Sequence, residues 1–211
     1  MPAPVPVSAD NDELASHLVR RSQSTRGTVL TGLDQLWVAD ITYVHLAEEF
    51  DYLAVILDEF SRKVVGWGLE AHLHAELAIS ALMMAIAARR PIPGALIHHS
   101  DRGVQYACTE YTEILAAHDI QPSMSRVGNP YDNAKAESFM KTLKQEEING
   151  SSYRNLRQAR SAIGAFIETV YNRQRLHSAL AYRSPDEYET ALGRFSEVML
   201  PPEVGSVLQK L

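Results

Sequence analysis

The stretch Leu36-Trp-Val-Ala-Asp-Ile-Thr-Tyr-Val-His-Leu46 has the composition of a strand at the centre of a sheet. β-Branched and aromatic residues dominate it, and apolar residues fall on both of its faces, as in strands that are covered on both sides. Asp40 lies in the middle of this stretch. Because an unpaired buried charge is costly, the sequence predicts that Asp40 either has a backbone N–H or arginine partner or binds a metal ion.

Two further strands follow directly. Residues 52–57 and 63–70 are predicted as strands joined by short turns, which indicates an antiparallel meander of three strands. Residues 75–89 then have the pattern of a helix. Asp58 and Glu59 fall in the second turn, where acidic side chains mostly bind the turn backbone or solvent, so we leave them out of the candidate site.

A second candidate acid ends a short buried strand. Residues 95–99 are predicted as that strand, and a loop and a helix to about residue 118 follow Asp101. In open sheets, sites gather at the carboxyl ends of strands, so Asp101 is well placed for chemistry. Residues 121–126 are predicted as the last strand.

The third candidate acid, Glu137, lies on a predicted helix, Tyr131-Asp-Asn-Ala-Lys-Ala-Glu-Ser-Phe-Met-Lys-Thr-Leu-Lys144. Asp132 or Asn133 can cap its first amides. Glu137, Lys141 and Lys144 share one helix face, because they are spaced at i, i+4 and i+7. Taken alone, that face fits either a solvated stripe with one ion pair or a functional surface. The residues predicted to pack inward are Ala136, Phe139, Met140 and Leu143.

The three acids can be considered together. Asp40 precedes Asp101 by 61 positions, and Asp101 precedes Glu137 by 36. Carboxylates from two strands and one helix could converge on a divalent metal ion, since hard cations such as Mg²⁺ take oxygen ligands. Two such ions about 4 Å apart clamp the attacking and leaving oxygens of a phosphodiester displacement.

Charge is unevenly distributed along the chain. The net charge of −6 argues weakly against a nucleic-acid partner. Residues 126–183, however, carry ten Lys or Arg and five Asp or Glu, a balance of +5 that leaves −11 for the remainder. Such a basic segment suggests a local surface for a polyanion, although an ordinary pair of charged helices is the alternative. A long helix is predicted within it at about residues 155–173, with Val170 on its inner face and Gly164 where a small residue permits close packing. A further helix is predicted after it, with Ser184 as its cap and Pro185 at its first position.

Length and composition limit the remaining possibilities. The 211 residues predict one folded core at 34–192 between a flexible tail at 1–33 and a second tail at 193–211. The helical period ends at about Leu192, so helical structure is expected to be lost there. No apolar run reaches the roughly 18 residues of a membrane span, and the first ten residues lack the pattern of a secretory signal. The single Cys108 allows no internal disulfide, which fits a reducing, cytoplasmic compartment.

Six motifs occur in one order and together resemble the integrase core of bacterial insertion-sequence transposases of the IS3 family, over about residues 35–190. They are Trp37-Val-Ala-Asp-Ile-Thr-Tyr43, Leu57-Asp-Glu-Phe-Ser-Arg-Lys-Val-Val-Gly-Trp67, His99-Ser-Asp-Arg-Gly-Val-Gln-Tyr106, Tyr131-Asp-Asn-Ala-Lys-Ala-Glu-Ser-Phe139, Tyr171-Asn-Arg-Gln-Arg-Leu-His177 and Ser184-Pro-Asp-Glu-Tyr188. The resemblance implies an α/β, RNase H-like fold, with a five-stranded mixed sheet of three antiparallel and then two parallel strands, flanked by helices. It also implies that Asp40, Asp101 and Glu137 are the catalytic, metal-binding triad.

The resemblance further implies a metal-dependent polynucleotidyl transferase that cleaves DNA and joins the freed 3′-hydroxyl to a new site. Two Mg²⁺ ions per site are expected, with Mn²⁺ as a substitute. Expected partners are DNA at the element ends and the target, further copies of the chain on DNA, and a separately encoded helix-turn-helix protein. The alternatives are a hydrolysis-only nuclease of the same fold and a catalytically silent DNA-binding or oligomerisation fragment. Candidate DNA contacts are Lys141, Lys144, Asn133, Arg173, Arg175 and His177. The last three have a structural role as the alternative, and none of them is expected to be catalytic.

Overall fold

The structure, a computed structural model, describes residues 29–46, 50–125, 134–149 and 151–199. Its strands are β1 (Leu36–His45), β2 (Phe50–Asp58), β3 (Val64–Glu70), β4 (Ile97–Ser100) and β5 (Gln121–Met124). They form one sheet in the order β3-β2-β1-β4-β5. The β3–β2 and β2–β1 pairs are antiparallel, and the β1–β4 and β4–β5 pairs are parallel. The predicted mixed sheet is therefore confirmed, with β1 at its centre.

Six α-helices flank the sheet in the described ranges. They are α1 (Ala75–Arg89), α2 (Val104–Ala107), α3 (Thr109–Ala117), α4 (Ala134–Leu143), α5 (Leu156–Ala165) and α6 (Pro185–Met199). Two of them continue without a break into π-helical turns: α4 into Lys144–Ile148 and α5 into Phe166–Gln174. A short 3₁₀ turn, Ser178–Leu180, precedes α6. In the part of the chain that the structure covers, none of these helices has the length and apolarity needed to cross a membrane.

The alternation of side chains along β1 builds a core on each face of the sheet. Val38 lies in a buried cluster with residues of α4 and α5, including Phe139 and Ile163. Trp37 lies in the opposite cluster with residues of α1 and α3, including Leu82. Because successive side chains of a strand point to opposite faces, a strand covered on both sides must be apolar throughout, as the sequence of β1 is.

Glycines allow the helices to approach β3 closely. A Cβ atom at Gly66 would lie 2.2 Å from the Ala81 carbonyl oxygen of α1. On the other face, a Cβ atom at Gly164 of α5 would lie 2.8 Å from Cζ2 of Trp67. The interpretation that Gly164 permits close packing is therefore confirmed, and β3 is held tightly between two helices.

Two helical predictions were wrong in detail. The single helix predicted up to residue 118 is divided at Cys108, whose backbone is extended (φ −71°, ψ 151°) and which serves as the residue before α3. Val170, predicted to point inward, is 36% exposed. The wider π-helical turns that begin at Phe166 change which side chains face the sheet. Asn172 is buried instead, and its amide bonds both the N–H and the carbonyl of Val64 at 3.0 Å.

One prediction about the ends of α6 was confirmed, and the other was wrong. Ser184 caps α6 as predicted: its Oγ accepts from the Glu187 N–H at 3.3 Å, while Oε2 of Glu187 accepts from the Ser184 N–H at 2.9 Å. The helix continues to Met199, so the chain does not lose its helical structure at about Leu192 as expected. The predicted caps Asp132 and Asn133 lie outside the described residues, as do residues 1–28 of the predicted tail.

Candidate active site

The parallel pairing of β1 with β4 has the register expected if Asp40 and Asp101 are neighbours. Leu36 pairs with Ile97 and Val38 with His99, so paired positions are 61 residues apart. Asp40 and Asp101 have the same separation. Neighbouring strands lie about 4.8 Å apart, so this register, continued two residues past Val38, places Asp101 next to Asp40.

Each aspartate is oriented by a nearby backbone amide. Oδ1 of the half-buried Asp40 accepts a hydrogen bond from the Ile41 N–H at 2.9 Å. The expected backbone N–H partner is therefore present. Oδ1 of the exposed Asp101 accepts from the Gly103 N–H at 2.9 Å, at the start of the loop that leads into α2. Carboxylates fixed in this way lose less conformational freedom when they bind a ligand.

Glu137 comes to the site on α4. Phe139 and Leu143 anchor this helix in the core, and Glu137 itself is exposed, as the predicted helix face requires. Burial raises the pKa of Asp40 to about 6, against the lowering effect of its hydrogen bond with Ile41. The negative charges of Asp101 and Glu137 raise this pKa further, and the positive charge of Lys144 lowers it. All four side chains thus share one electrostatic environment.

The charges of Asp101 and Glu137 act on Asp40, but the three carboxylates do not form a closed set of ligands. Within the described ranges, no group of three or more His, Cys, Asp or Glu side chains is gathered closely enough to hold a metal ion. The register of β1 and β4 agrees with the expected convergence of Asp40 and Asp101, and the convergence of all three acids on a metal ion stays a prediction. The donors fit a divalent hard cation in kind, because all three are carboxylates and Asp40 lies among negative charges that a cation would neutralise.

The two predicted basic residues of α4 differ in their surroundings. Lys141 is exposed, whereas Lys144 is partly buried where α4 passes into the π-helical turn. Nζ of Lys144 lies 4.4 Å from the centre of the Tyr43 ring, a cation–π contact. Because Lys144 also acts on the pKa of Asp40, it lies at the candidate site, as its helix position predicts.

The other candidate DNA contacts are held within the chain. Nη1 of Arg175 lies 2.6 Å from both carboxylate oxygens of Glu146. Nε of Arg173 lies 3.6 Å from Oδ2 of Asp186. The His177 ring meets the Tyr171 ring edge-on at 5.3 Å, and burial lowers the pKa of His177. The structural alternative accounts for these positions, and DNA contact by these residues remains a prediction. Asn133 lies outside the described residues.

Asp58 has one of the two roles expected for it, and its side chain is buried. This residue was expected in a solvated or turn-bonding role, and it is fully buried. Its Oδ1 accepts from the N–H groups of Phe60 and Ser61 at 2.9 and 2.8 Å, so the turn-bonding role is confirmed and the solvated one is wrong. Its Oδ2 accepts from the Asp34 N–H at 2.6 Å. The signal that could have revealed its burial was the strand sequence directly before it, apolar on both faces.

Tyr106 is a residue near the aspartates that sequence reasoning did not single out. It lies on α2, is buried, and has its pKa raised well above the ordinary value by burial, by Tyr111 and then by the charges of Asp40 and Asp101. Its position five residues after Asp101, in the same motif, was the only sequence signal.

Comparisons with known proteins agree with this arrangement. Two family models of the integrase core domain match residues 31–130 and 118–185. The chain is 43% identical over 159 residues to the transposase for insertion sequence element IS904 of Lactococcus lactis, covering 75% of this chain and 62% of that protein. It is 42% identical over 159 residues to the InsF transposase for insertion sequence IS3A of Escherichia coli, covering 75% and 55%. The chain thus spans a little over half the length of these curated relatives.

Solved structures show the same fold. The simian T-cell lymphotropic virus intasome matches with a TM-score of 0.63 at 21% identity, over 80% of this chain and 59% of that one. The HTLV-2 integrase catalytic core domain in complex with magnesium, in its trimeric form, matches with a TM-score of 0.57 at 18% identity, over 74% and 96%. The RNase H-like fold is confirmed. Since the two family models together match residues 31–185, the chain belongs to the integrase core domain family, in the group of the IS3-family insertion-sequence transposases.

Proposed function

We propose that this chain is the catalytic core of a DNA transposase, which hydrolyses one DNA strand and then joins the freed 3′-hydroxyl to a second phosphodiester. The observation that carries the proposal is the register of β1 and β4, in which paired positions have the same separation of 61 residues as Asp40 and Asp101. Glu137 and Lys144 act on the pKa of Asp40 and so belong to the same surroundings. The similarity to insertion-sequence transposases supports this activity over other reactions of the fold.

The proposed cofactor is Mg²⁺, two ions per site, with Mn²⁺ as a substitute. Asp40, Asp101 and Glu137 would hold the ions, since carboxylate oxygens suit them. When bound, such ions supply Lewis-acid activation of the attacking oxygen and neutralise charge on the phosphate. The similar HTLV-2 catalytic core was solved in complex with magnesium, which supports this choice.

The residues of the chain have distinct tasks in this proposal. Asp40 must lose its proton to act as a ligand, and with a pKa of about 6 it does so just below neutral pH. The Gly103 N–H holds one oxygen of Asp101 in place. Lys144, beside the carboxylates, and Lys141, one turn earlier on the same helix, bring positive charge to the DNA phosphates. Such contacts position DNA without reading its sequence.

The proposed partners follow from the reaction. Strand transfer needs DNA at both element ends and at the target, and we propose that further copies of the chain assemble on that DNA. A separately encoded helix-turn-helix protein would supply recognition of the ends.

One assay separates the possible activities. The wild-type chain is incubated with Mg²⁺ or Mn²⁺ and labelled DNA containing the inverted repeats that flank its gene. Joined products are expected from the wild type and none from Asp40→Asn. The charge-matched control Glu113→Gln alters an exposed acid of α3 and should leave the products unchanged. Nicks without joining would identify a hydrolysis-only nuclease, and a mobility shift without cleavage would identify a silent DNA-binding fragment.

A further inference from the structure

The hydroxyl of Tyr106 is buried without a hydrogen-bond partner. The residue is 3% exposed, and within the described part of the chain its Oη makes no hydrogen bond. Buried polar groups are almost always paired, because leaving one unpaired costs free energy. An unpaired buried hydroxyl in a native fold therefore calls for a role in another state of the protein.

The position of Tyr106 ties it to Asp101. Its N–H donates to the Gly103 carbonyl at 3.0 Å, and the Gly103 N–H donates to Oδ1 of Asp101 at 2.9 Å. A Cβ atom at Gly103 would lie 3.0 Å from Oδ1 of Asp101 and 3.5 Å from Cδ2 of Tyr106. Oε1 of Gln105 would also lie 3.0 Å from that Cβ atom, so the Asp101 carboxylate, the Gln105 amide and the Tyr106 ring all pack around one glycine.

Electrostatics keep this hydroxyl protonated. Burial, Tyr111 and the charges of Asp40 and Asp101 all raise the pKa of Tyr106 well above its ordinary value. At neutral pH the group is therefore a hydrogen-bond donor, and an ionised carboxylate, which can only accept, is its natural partner.

The neighbouring Tyr111 has a buried hydroxyl that does form a hydrogen bond. The rings of Tyr106 and Tyr111 meet edge-on, with centroids 5.5 Å apart, and both residues are buried. Oη of Tyr111 lies 2.9 Å from Nε2 of His98. The same cluster therefore pairs the hydroxyl of Tyr111 and leaves that of Tyr106 without a hydrogen bond among the described residues.

We propose that Tyr106 is a positioning residue of the active site, whose hydroxyl donates to a carboxylate oxygen of the Asp40–Asp101 pair when these carboxylates draw together around a divalent cation. The inference rests on the proposed function. Among the described residues the three acids form no closed ligand set, so the carboxylates would have to come closer together to hold a cation. A donor behind them fixes the oxygen that the cation does not use, as outer-shell partners of metal ligands do.

Two single-hydroxyl variants of the full chain test the proposal. Tyr106→Phe removes a group with no partner, so the metal-free protein should melt at the same temperature as the wild type or higher. Its affinity for Mn²⁺, measured by calorimetric titration, should fall about tenfold, and strand transfer should fall with it. Tyr111→Phe leaves Nε2 of His98 without its partner, so the metal-free protein should melt lower while its Mn²⁺ affinity stays that of the wild type.

The outcomes separate this inference from the proposed function. If the wild type binds Mn²⁺ and Tyr106→Phe binds it equally tightly, the positioning role is overturned while the transposase core stands. A lower melting temperature for metal-free Tyr106→Phe, like that expected of Tyr111→Phe, would also overturn it, because the hydroxyl would then have a structural partner. If the wild type and Asp40→Asn both fail to bind Mn²⁺, the proposed metal site is wrong, and this inference is wrong with it.

Discussion

Arg89, at the end of α1, and Glu189, on α6, are joined by a hydrogen bond of 2.7 Å between Nη1 and Oε2. Nε of the same arginine donates to Oδ1 of Asp34 at 2.8 Å, and its Nη2 lies 3.9 Å from the buried Asp58. Asp58 pairs with Trp37 at the start of β1, whereas the candidate site lies further along that strand. Arg89 therefore links α6 to the end of the sheet that lies away from Asp101.

Breaking this contact should destabilise the fold. Glu189→Ala leaves a mostly buried guanidinium with one partner fewer, and hydrogen bonds to charged groups contribute about 1.5–3 kcal/mol. We expect the free energy of unfolding in urea to fall by about 2 kcal/mol. The control is Glu146→Ala, which breaks the more exposed pair with Arg175 and should cost about 0–1 kcal/mol. If both variants lose the same free energy of unfolding, the buried contact of Arg89 is no stronger than the exposed pair of Arg175, and the prediction is wrong.

Asp40→Asn should gain stability relative to the wild type as pH rises. The pKa of Asp40 is raised in the folded state from 3.8 to about 6, so the folded state binds this proton more tightly than the unfolded state does. The resulting stability is fully present below pH 3.8 and is lost as pH rises through about 6. The neutral asparagine avoids this loss, which is on the order of 2 kcal/mol after solvent screening. Urea melts of both proteins at pH 4, 5, 6 and 7 measure the difference, and a difference independent of pH would contradict the prediction.

Divalent metal should stabilise the wild type more than Asp40→Asn. For a site of roughly millimolar affinity, Mg²⁺ at several times Kd stabilises the native state by about 1 kcal/mol. That corresponds to a rise in melting temperature of about 2–4 °C for a domain of this size. Paired thermal melts with and without Mg²⁺, at fixed ionic strength, measure the response. An equal rise in both proteins, or a large loss of metal-free stability in the variant, would make Asp40 a structural hydrogen-bonding residue.

Lys144 and Lys141 should contribute to DNA affinity without sequence preference. Each contact between a lysine and a phosphate adds about 1 or less to the slope of log affinity against log salt concentration. Lys144→Ala and Lys141→Ala should therefore each flatten that slope, measured by fluorescence anisotropy on DNA duplexes of different sequence. Lys63→Ala is the control, because Nζ of Lys63 already lies 2.7 Å from Oδ1 of Asp186. Unchanged slopes for both helix variants would mean that neither lysine meets phosphate.

The elements that sequence could predict are those whose local pattern agrees with their final surroundings. β1 is apolar on both faces and is covered on both, and α1 has the bounds its sequence predicts. The break at Cys108 and the π-helical turns after Phe166 depend on how helices pack against the rest of the chain, and a periodic pattern does not contain that information.

Some features of the candidate site could also be predicted from the sequence, and others could not. Asp40 and Asp101 could be predicted as neighbours, because strand positions and motif order carry that information. The sequence could not predict that the three acids are too far apart to hold a metal ion together. That distance depends on where α4 places Glu137 relative to the sheet. Tyr106 could not be predicted either, since its distinguishing property is a buried hydroxyl that makes no hydrogen bond with any residue the structure describes.

The central place of β1 has a consequence during synthesis. Its parallel neighbour β4 is encoded 61 positions later, so the nascent β1–β3 meander leaves the ribosome with one edge of β1 still unpaired. An apolar strand with an unpaired edge can pair with strands of other chains and so aggregate. A charged residue on such a strand reduces this aggregation. Asp40 carries that charge. We therefore expect Asp40→Asn, although more stable once folded at neutral pH, to leave a larger share of its protein in the insoluble fraction when freshly expressed.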